Sequence, residues 1–194
     1  MAKSSGRSKV SGSTKRLGSD KLIQALNQQV GNEMHASMQY IAIAAHFDAE
    51  NLPRLAALFY RQADEERMHS MKFVRHVVDL GGRLAMPAIA APKPTFATAA
   101  EAVALSLKWE HTVTGQIYDL VDIAKGDRDY ISMRFLDWFV SEQLEEINSM
   151  ETLLSLVERA GEDNLLLVED YIAQNAIGDS GNGGKGEGGE GGGK

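Results

Sequence analysis

Glu33, Glu66, His69, Glu110, Gln143 and Glu146 stand where the spacing of the chain calls for apolar residues. Glu33 falls in the series Ile23, Leu26, Val30, Glu33, Ser37, Tyr40, Ala44, Phe47. Glu66 and His69 fall in Leu52, Leu55, Phe59, Gln62, Glu66, His69, Phe73, Val77, Leu80. Glu110 belongs to Val103, Leu107, Glu110, Thr114, Ile117, Val121, Ala124. Gln143 and Glu146 belong to Leu136, Phe139, Gln143, Glu146, Met150, Leu153, Val157. Steps of three and four residues lay each series along one face of a helix. An uncompensated carboxylate on such a face costs on the order of several kcal/mol. Four of them, with one His and one Gln, call for cations, and two divalent ions would cancel the charge. Glu66 and His69, three residues apart, share a face. Carboxylates that bridge two ions beside a single imidazole suit iron or manganese better than a structural zinc. The competing reading of these residues is an interior polar network without metal.

Four helices must carry these groups. Ser19 and Asp20 offer an N-cap, and the first helix runs from there to about Phe47. A short turn, Asp48 to Asn51, precedes Pro53, which suits the first turn of a second helix ending at Gly81-Gly82. About sixteen residues follow with Pro87, Pro92 and Pro94 and no helical period, too long for a tight turn, so they predict a crossover along the bundle. Thr98-Ala99-Ala100-Glu101 matches a capping box and opens a third helix, closed by Gly126. The fourth runs from about Arg128 to Arg159 and stops at Gly161, and a short fifth is expected from Asp163 to Gln174. The predicted fold is an all-α four-helix bundle with a long crossover between its two hairpins.

The chain has 194 residues and a net charge of −7, unevenly spread. Lys3, Arg7, Lys9, Lys15 and Arg16 give the first nineteen residues +5, leaving −12 on the rest. Residues 1–18 read as a disordered basic arm, 19–177 as one domain, and 178–194, with ten of the nineteen glycines, as a flexible tail. An acidic body disfavours a nucleic-acid face on the domain and suits cation attraction. Without cysteine there are no disulfides and no thiolate metal sites. No apolar run reaches membrane-spanning length, and the basic N-terminus lacks the apolar core of a secretory signal, so a cytoplasmic protein without membrane partners is expected.

Several segments together resemble the bacterial non-haem ferritins. They are Asn32-Glu33-Met34-His35-Ala36-Ser37-Met38-Gln39-Tyr40, Glu65-Glu66-Arg67-Met68-His69, Trp109-Glu110, and Trp138-Phe139-Val140-Ser141-Glu142-Gln143-Leu144-Glu145-Glu146. The resemblance covers about residues 20–175. It implies a ferritin-like bundle, a cage of 24 subunits, oxidation of Fe(II) by O2 at a di-iron ferroxidase centre, and storage of ferric mineral. By the same resemblance, Glu33 and His69 are terminal ligands of a first iron and Glu66 bridges. Glu110, Glu146 and Gln143 surround a second iron, and Glu65, Glu142 and Glu145 match a third, weaker site. Tyr40 matches a tyrosine beside the di-iron centre that gives a hydrogen bond or an electron.

The departures carry information. Bacterioferritins repeat Glu-x-x-His on the fourth helix, where this chain has Gln143-x-x-Glu146. The second iron is then held by oxygen and more weakly, which favours iron passing through the centre. Bacterioferritins bind haem through a methionine that is Arg67 here, so no haem is expected. His35, His46, His76 and His111 lack carboxylates at ligand spacing. Asp119, Asp122, Asp127 and Asp129 cluster at the turn after the third helix, a region that lies near the iron-entry channels of ferritins. Two other functions compete: a mini-ferritin-like DNA protector using the basic arm, and a di-iron oxidase of an organic substrate.

Overall fold

A computed structural model describes residues 16–175 and 177. Most of the basic arm and the whole Gly-rich tail expected from the sequence lie outside the described residues. Five α-helices follow in order: α1 (Asp20–Ala49), α2 (Pro53–Asp79), α3 (Ala99–Gly126), α4 (Tyr130–Ala160) and α5 (Leu165–Gln174), the last preceded by a 3₁₀ turn, Glu162–Asn164. No helix among the described residues is long and apolar enough to cross a membrane.

Caps set the helix starts. Ser19 Oγ accepts from Leu22 N–H at 3.0 Å and Thr98 Oγ1 from Glu101 N–H at 3.0 Å. The Glu101 carboxylate reaches back one residue further than in the usual capping box, taking Ala97 N–H at 2.7 Å. The third helix does not stop before Gly126, which is its last residue. The reversal falls instead on Arg128, at φ 54°, and α4 starts two residues later than the sequence suggested. Asp129 caps α4, its carboxylate accepting from Ser132 N–H at 3.0 Å and Ser132 Oγ at 2.8 Å. At the other end of the expected basic arm, Leu17 N–H donates to Leu80 C=O at 2.9 Å, so Arg16–Gly18 lie against the end of α2.

α1 packs chiefly on α2, and α3 on α4. Hydrogen bonds between helices fix the alignment. Ser70 Oγ donates to Val30 C=O at 3.0 Å and Ser37 Oγ to Ala63 C=O at 2.7 Å, which sets α1 and α2 antiparallel. The crossover of residues 80–98 then travels back along α1, held by residues spaced four apart. Asn27 binds Arg83 C=O at 3.0 Å and Ala85 N–H at 2.9 Å. Gly31 faces Pro87, where any Cβ would lie 2.3 Å from the proline ring. His35 Nδ1 lies 3.2 Å from Ala90 C=O. Gln39 binds Lys93 N–H at 2.8 Å and its C=O at 3.1 Å.

α5 closes one end of the bundle. The N-cap position of α2 is Leu52, which offers no acceptor. Glu169 of α5, 7% exposed, supplies it instead, taking Arg54 and Leu55 N–H at 2.8 Å each. Glu162 does the same for α3, taking Ala99 N–H at 3.0 Å. Carboxylates suit helix N-termini because the unpaired N–H groups and the helix dipole both favour negative charge there.

Two apolar clusters fill the interior. One, toward α5, includes Phe47, Phe59, Leu153, Val168 and Ile172. The other, at the opposite end, includes Leu22, Phe73, Ile117, Leu136 and Phe139. The polar members of the four periodic series form the layer between them.

Candidate metal centre

The six candidate ligands on the periodic series are all buried. Glu33 is 1% exposed, Glu66 2%, His69 4%, Glu110 0%, Gln143 3% and Glu146 2%. α1, α2 and α4 place theirs by taking the register of their own apolar series, and α3 buries Glu110 in a register turned somewhat from its series. Glu33, Glu66 and His69 converge, each offering a ligand atom, with these atoms all within 4.8 Å of one another. His69 Nδ1 stands 3.4 Å from Glu66 Oε2, too long for a well-formed hydrogen bond. Glu33 Oε2, Glu66 Oε2 and Glu146 Oε1 are buried without a hydrogen-bond partner. Orphaned buried oxygens are rare and costly, and two of these three belong to the converging pair Glu33 and Glu66, a pattern that suits a cation.

The second group is knit by hydrogen bonds. Tyr40, fully buried, donates to Glu110 Oε1. Gln143 Nε2 lies 3.3 Å from Glu110 Oε2, 3.2 Å from Glu110 C=O and 3.2 Å from Thr114 Oγ1. Gln143 therefore turns its amide nitrogen toward Glu110.

The electrostatics match a site built for positive charge. Burial, then the charge of Glu66, pushes the Glu33 carboxyl well above the usual carboxylate range. Burial and Glu110 do the same to Glu66, and burial with Glu110 and Glu66 to Glu146. Burial also raises Glu110, against the donors Tyr40 and Gln143. Burial pulls His69 down, but Glu142, Glu33 and Glu146 outweigh it and the imidazole ends above its ordinary value. Burial and Glu110 raise Tyr40, which stays a hydrogen-bond donor.

The outer carboxylates are less gathered. Glu65 is half-buried and accepts from Gln62 Nε2, Glu142 lies 3.8 Å from His69 Nε2, and Glu145 is exposed. An aromatic wall backs His69, with the Trp138 ring at 5.4 Å and Phe139 at 5.8 Å, and Lys72 Nζ sits 2.8 Å from the Trp138 ring centre.

Most of the remaining candidates have structural partners. His76 bonds to Ser132 Oγ at 2.9 Å and stacks on Phe135 at 3.9 Å. His35 packs on Trp109 at 4.7 Å, and His46 on Phe96 at 5.3 Å. His111 is exposed. Asp127 accepts from Ser19 Oγ and Asp129 is a cap, while Asp119 and Asp122 are exposed.

The periodic series did not single out Gln29, which is 2% exposed and donates Nε2–H to Glu33 Oε1 at 2.9 Å. The available signal was its place four residues before Glu33, where two side chains on a helix meet.

The family model of the ferritin-like domain matches residues 23–160. Ferritin BfrB of Mycobacterium tuberculosis (strain CDC 1551 / Oshkosh) is 41% identical over 149 residues, spanning 77% of this chain and 82% of that protein. The bacterial non-heme ferritin of Staphylococcus aureus (strain USA300) is 37% identical over 160 residues, spanning 82% of this chain and 95% of that one. A crystal structure of an open pore ferritin from the archaeon Archaeoglobus fulgidus superposes with a TM-score of 0.78 at 30% identity, covering 81% of this chain and 98% of that one. With matches of this extent to a bundle whose polar layer is a cluster of metal-ligand side chains, the chain belongs to the ferritin family of iron-storage proteins.

Proposed function

We propose that this ferritin oxidises its own cargo. Two Fe(II) ions bind in the buried layer, O2 accepts one electron from each, and Fe(III) moves on to be stored as mineral inside a cage of 24 copies. Glu33 and His69 hold the first ion and Glu66 bridges. Glu110, Glu146 and Gln143 surround the second, and Glu65, Glu142 and Glu145 form a weaker outer site. The observation that carries this reading is the convergence of Glu33, Glu66 and His69 within 4.8 Å, with unpaired oxygens on both carboxylates.

The chemistry follows from the donors. Hard oxygen ligands favour Fe(III) over Fe(II), so an oxygen-rich site eases loss of the electron. Two electrons from two Fe(II), with two protons, convert O2 to hydrogen peroxide. Hydrolysis of the two Fe(III) ions then releases protons to water. The raised carboxyls supply protons as iron displaces them. Tyr40 steadies Glu110 through its hydroxyl. The Gln143 amide nitrogen faces Glu110, and a half-turn of the amide would present its carbonyl oxygen as a ligand instead.

The test is to add Fe(II) to the purified protein in air and stain a native gel for iron and then for protein. Coincident bands at the mass of a cage are expected, with fast oxidation lost in Glu66→Ala. Unchanged oxidation in that variant, or a small species free of iron, would overturn the proposal.

A further inference from the structure

The amides beside Glu33 form a directed chain. Asn32 is the pivot. Its Nδ2 donates both hydrogens, one to Gln29 Oε1 at 3.1 Å and one to Gln116 Oε1 of α3 at 2.9 Å. Its Oδ1 accepts from Gln28 Nε2 at 3.1 Å. With its carbonyl taken by Asn32, Gln29 has only its NH2 left for Glu33, to which it donates at 2.9 Å. An amide free to turn over would present oxygen or nitrogen to a carboxylate; this one cannot turn without losing two bonds at once. The result at Glu33 is asymmetric. Oε1 is tied down, while Oε2 is buried and unpaired in the group that converges with Glu66 and His69.

We infer that Gln29 is a positioning residue for the metal centre: oriented by Asn32 and Gln116, it holds one oxygen of Glu33 and presents the other as a single-point ligand to the first cation. The inference rests on the proposed metal site and adds to it a support that ties α1 to α3. A ligating carboxylate whose free oxygen is fixed binds without first losing rotational freedom, and it does not spread both oxygens around one ion. Removal of such an outer partner typically weakens metal binding about 10–100-fold.

The experiment uses the full-length assembled protein freed of metal, with Co(II) as the probe, followed by calorimetry and visible absorption. Gln29→Met keeps the volume and removes the donor. It should weaken Co(II) binding about tenfold or more and raise KM for Fe(II), with kcat at saturating iron retained. Gln116→Leu loosens the chain from its far end without touching Gln29 and should shift affinity in the same direction by less. Gln39→Met is the control. Gln39 is also a buried amide of α1, 5% exposed, and among the described residues its side chain bonds only to the crossover at Lys93. That variant should lose thermal stability and keep its Co(II) affinity. Wild-type affinity in both Gln29→Met and Gln116→Leu would overturn the inference, as would an equal loss in Gln39→Met. Wild-type protein that takes up no Co(II) would overturn the metal site itself.

Discussion

Replacing Glu33 with Gln should make the metal-free protein more stable while removing a proposed ligand of the metal centre. Glu33 is 1% exposed, and its ligand atom lies within 4.8 Å of those of Glu66 and His69. Two ionised carboxylates at that separation repel by about 3 kcal/mol at the effective dielectric of a protein interior. Burial and the charge of Glu66 hold Glu33 well above its ordinary value of 4.5, so the metal-free protein escapes part of this cost by keeping protons. A carboxyl raised in the folded state binds more protons folded than unfolded. Its contribution is therefore complete below pH 4.5 and is lost as pH rises toward the native value. Glu33→Gln removes that loss for one group. The new amide keeps an oxygen for Gln29 and offers NH2 to the unpaired Glu66. At neutral pH the expected gain is about 1–3 kcal/mol, or roughly 2–10 °C in Tm for a domain of this size. The gain should shrink as pH falls toward 4.5. Scanning calorimetry of both proteins in chelator, over a pH series at one protein concentration, measures it. A variant less stable than wild type at neutral pH, or a gain indifferent to pH, would refute the reasoning.

Three further outcomes are expected. Glu169→Ala removes the acceptor for Arg54 and Leu55 N–H and should cost about 1.5–3 kcal/mol, with faster amide exchange at Val168 and Ile172; protection equal to wild type would mean that α5 is held by apolar contacts alone. Gly31→Ala places a Cβ 2.3 Å from Pro87 and should cost about 1–3 kcal/mol and speed proteolysis within residues 83–97; an unchanged digestion rate would show that the crossover yields freely. Tyr40→Phe leaves Glu110 Oε1 without its donor and should lower metal-free stability by about 1–3 kcal/mol; an identical melting curve would show that the hydroxyl does not hold Glu110.

The bundle was legible where large apolar residues repeat at helical spacing. Every member of the series in α1, α2 and α4 is buried, because Leu, Ile, Val and Phe at steps of three and four leave a helix one way to face. α3 was read less well. Leu107, Thr114 and Val121 are only half-buried, while Ala102, Ser106, Val113 and Leu120 are buried beside the expected line. Small residues such as Ala102 and Ser106 pack closely without adding to an apolar pattern. The buried polar set proposed as ligands stood out because charge on a buried line has few explanations. Its supports did not, because Gln29, Asn27 and Gln39 are polar and off the series, a composition that reads as solvent-facing. Glu169 acts on a helix start 115 residues earlier, a distance at which sequence carries no local signal. The ladder Asn27, Gly31, His35, Gln39 did carry a regular spacing of four, but its four side chains share no chemistry, so no hydrophobic scale registers it.

That ladder divides the chain in an unexpected way. The crossover is seated on α1 at Arg83, Ala85, Pro87, Ala90 and Lys93, so its position owes little to its continuation into α3. A break in the chain just after Lys93 would leave the first fragment with α1, α2 and a docked strap. The second fragment would keep α3, α4 and α5, with Glu162 still capping α3. Each half would expose one apolar face that only the other covers. The two hairpins are thus complementing fragments, and expressing residues 16–93 and 94–177 as separate peptides offers a way to make reassembly of the proposed metal site depend on bringing two molecules together.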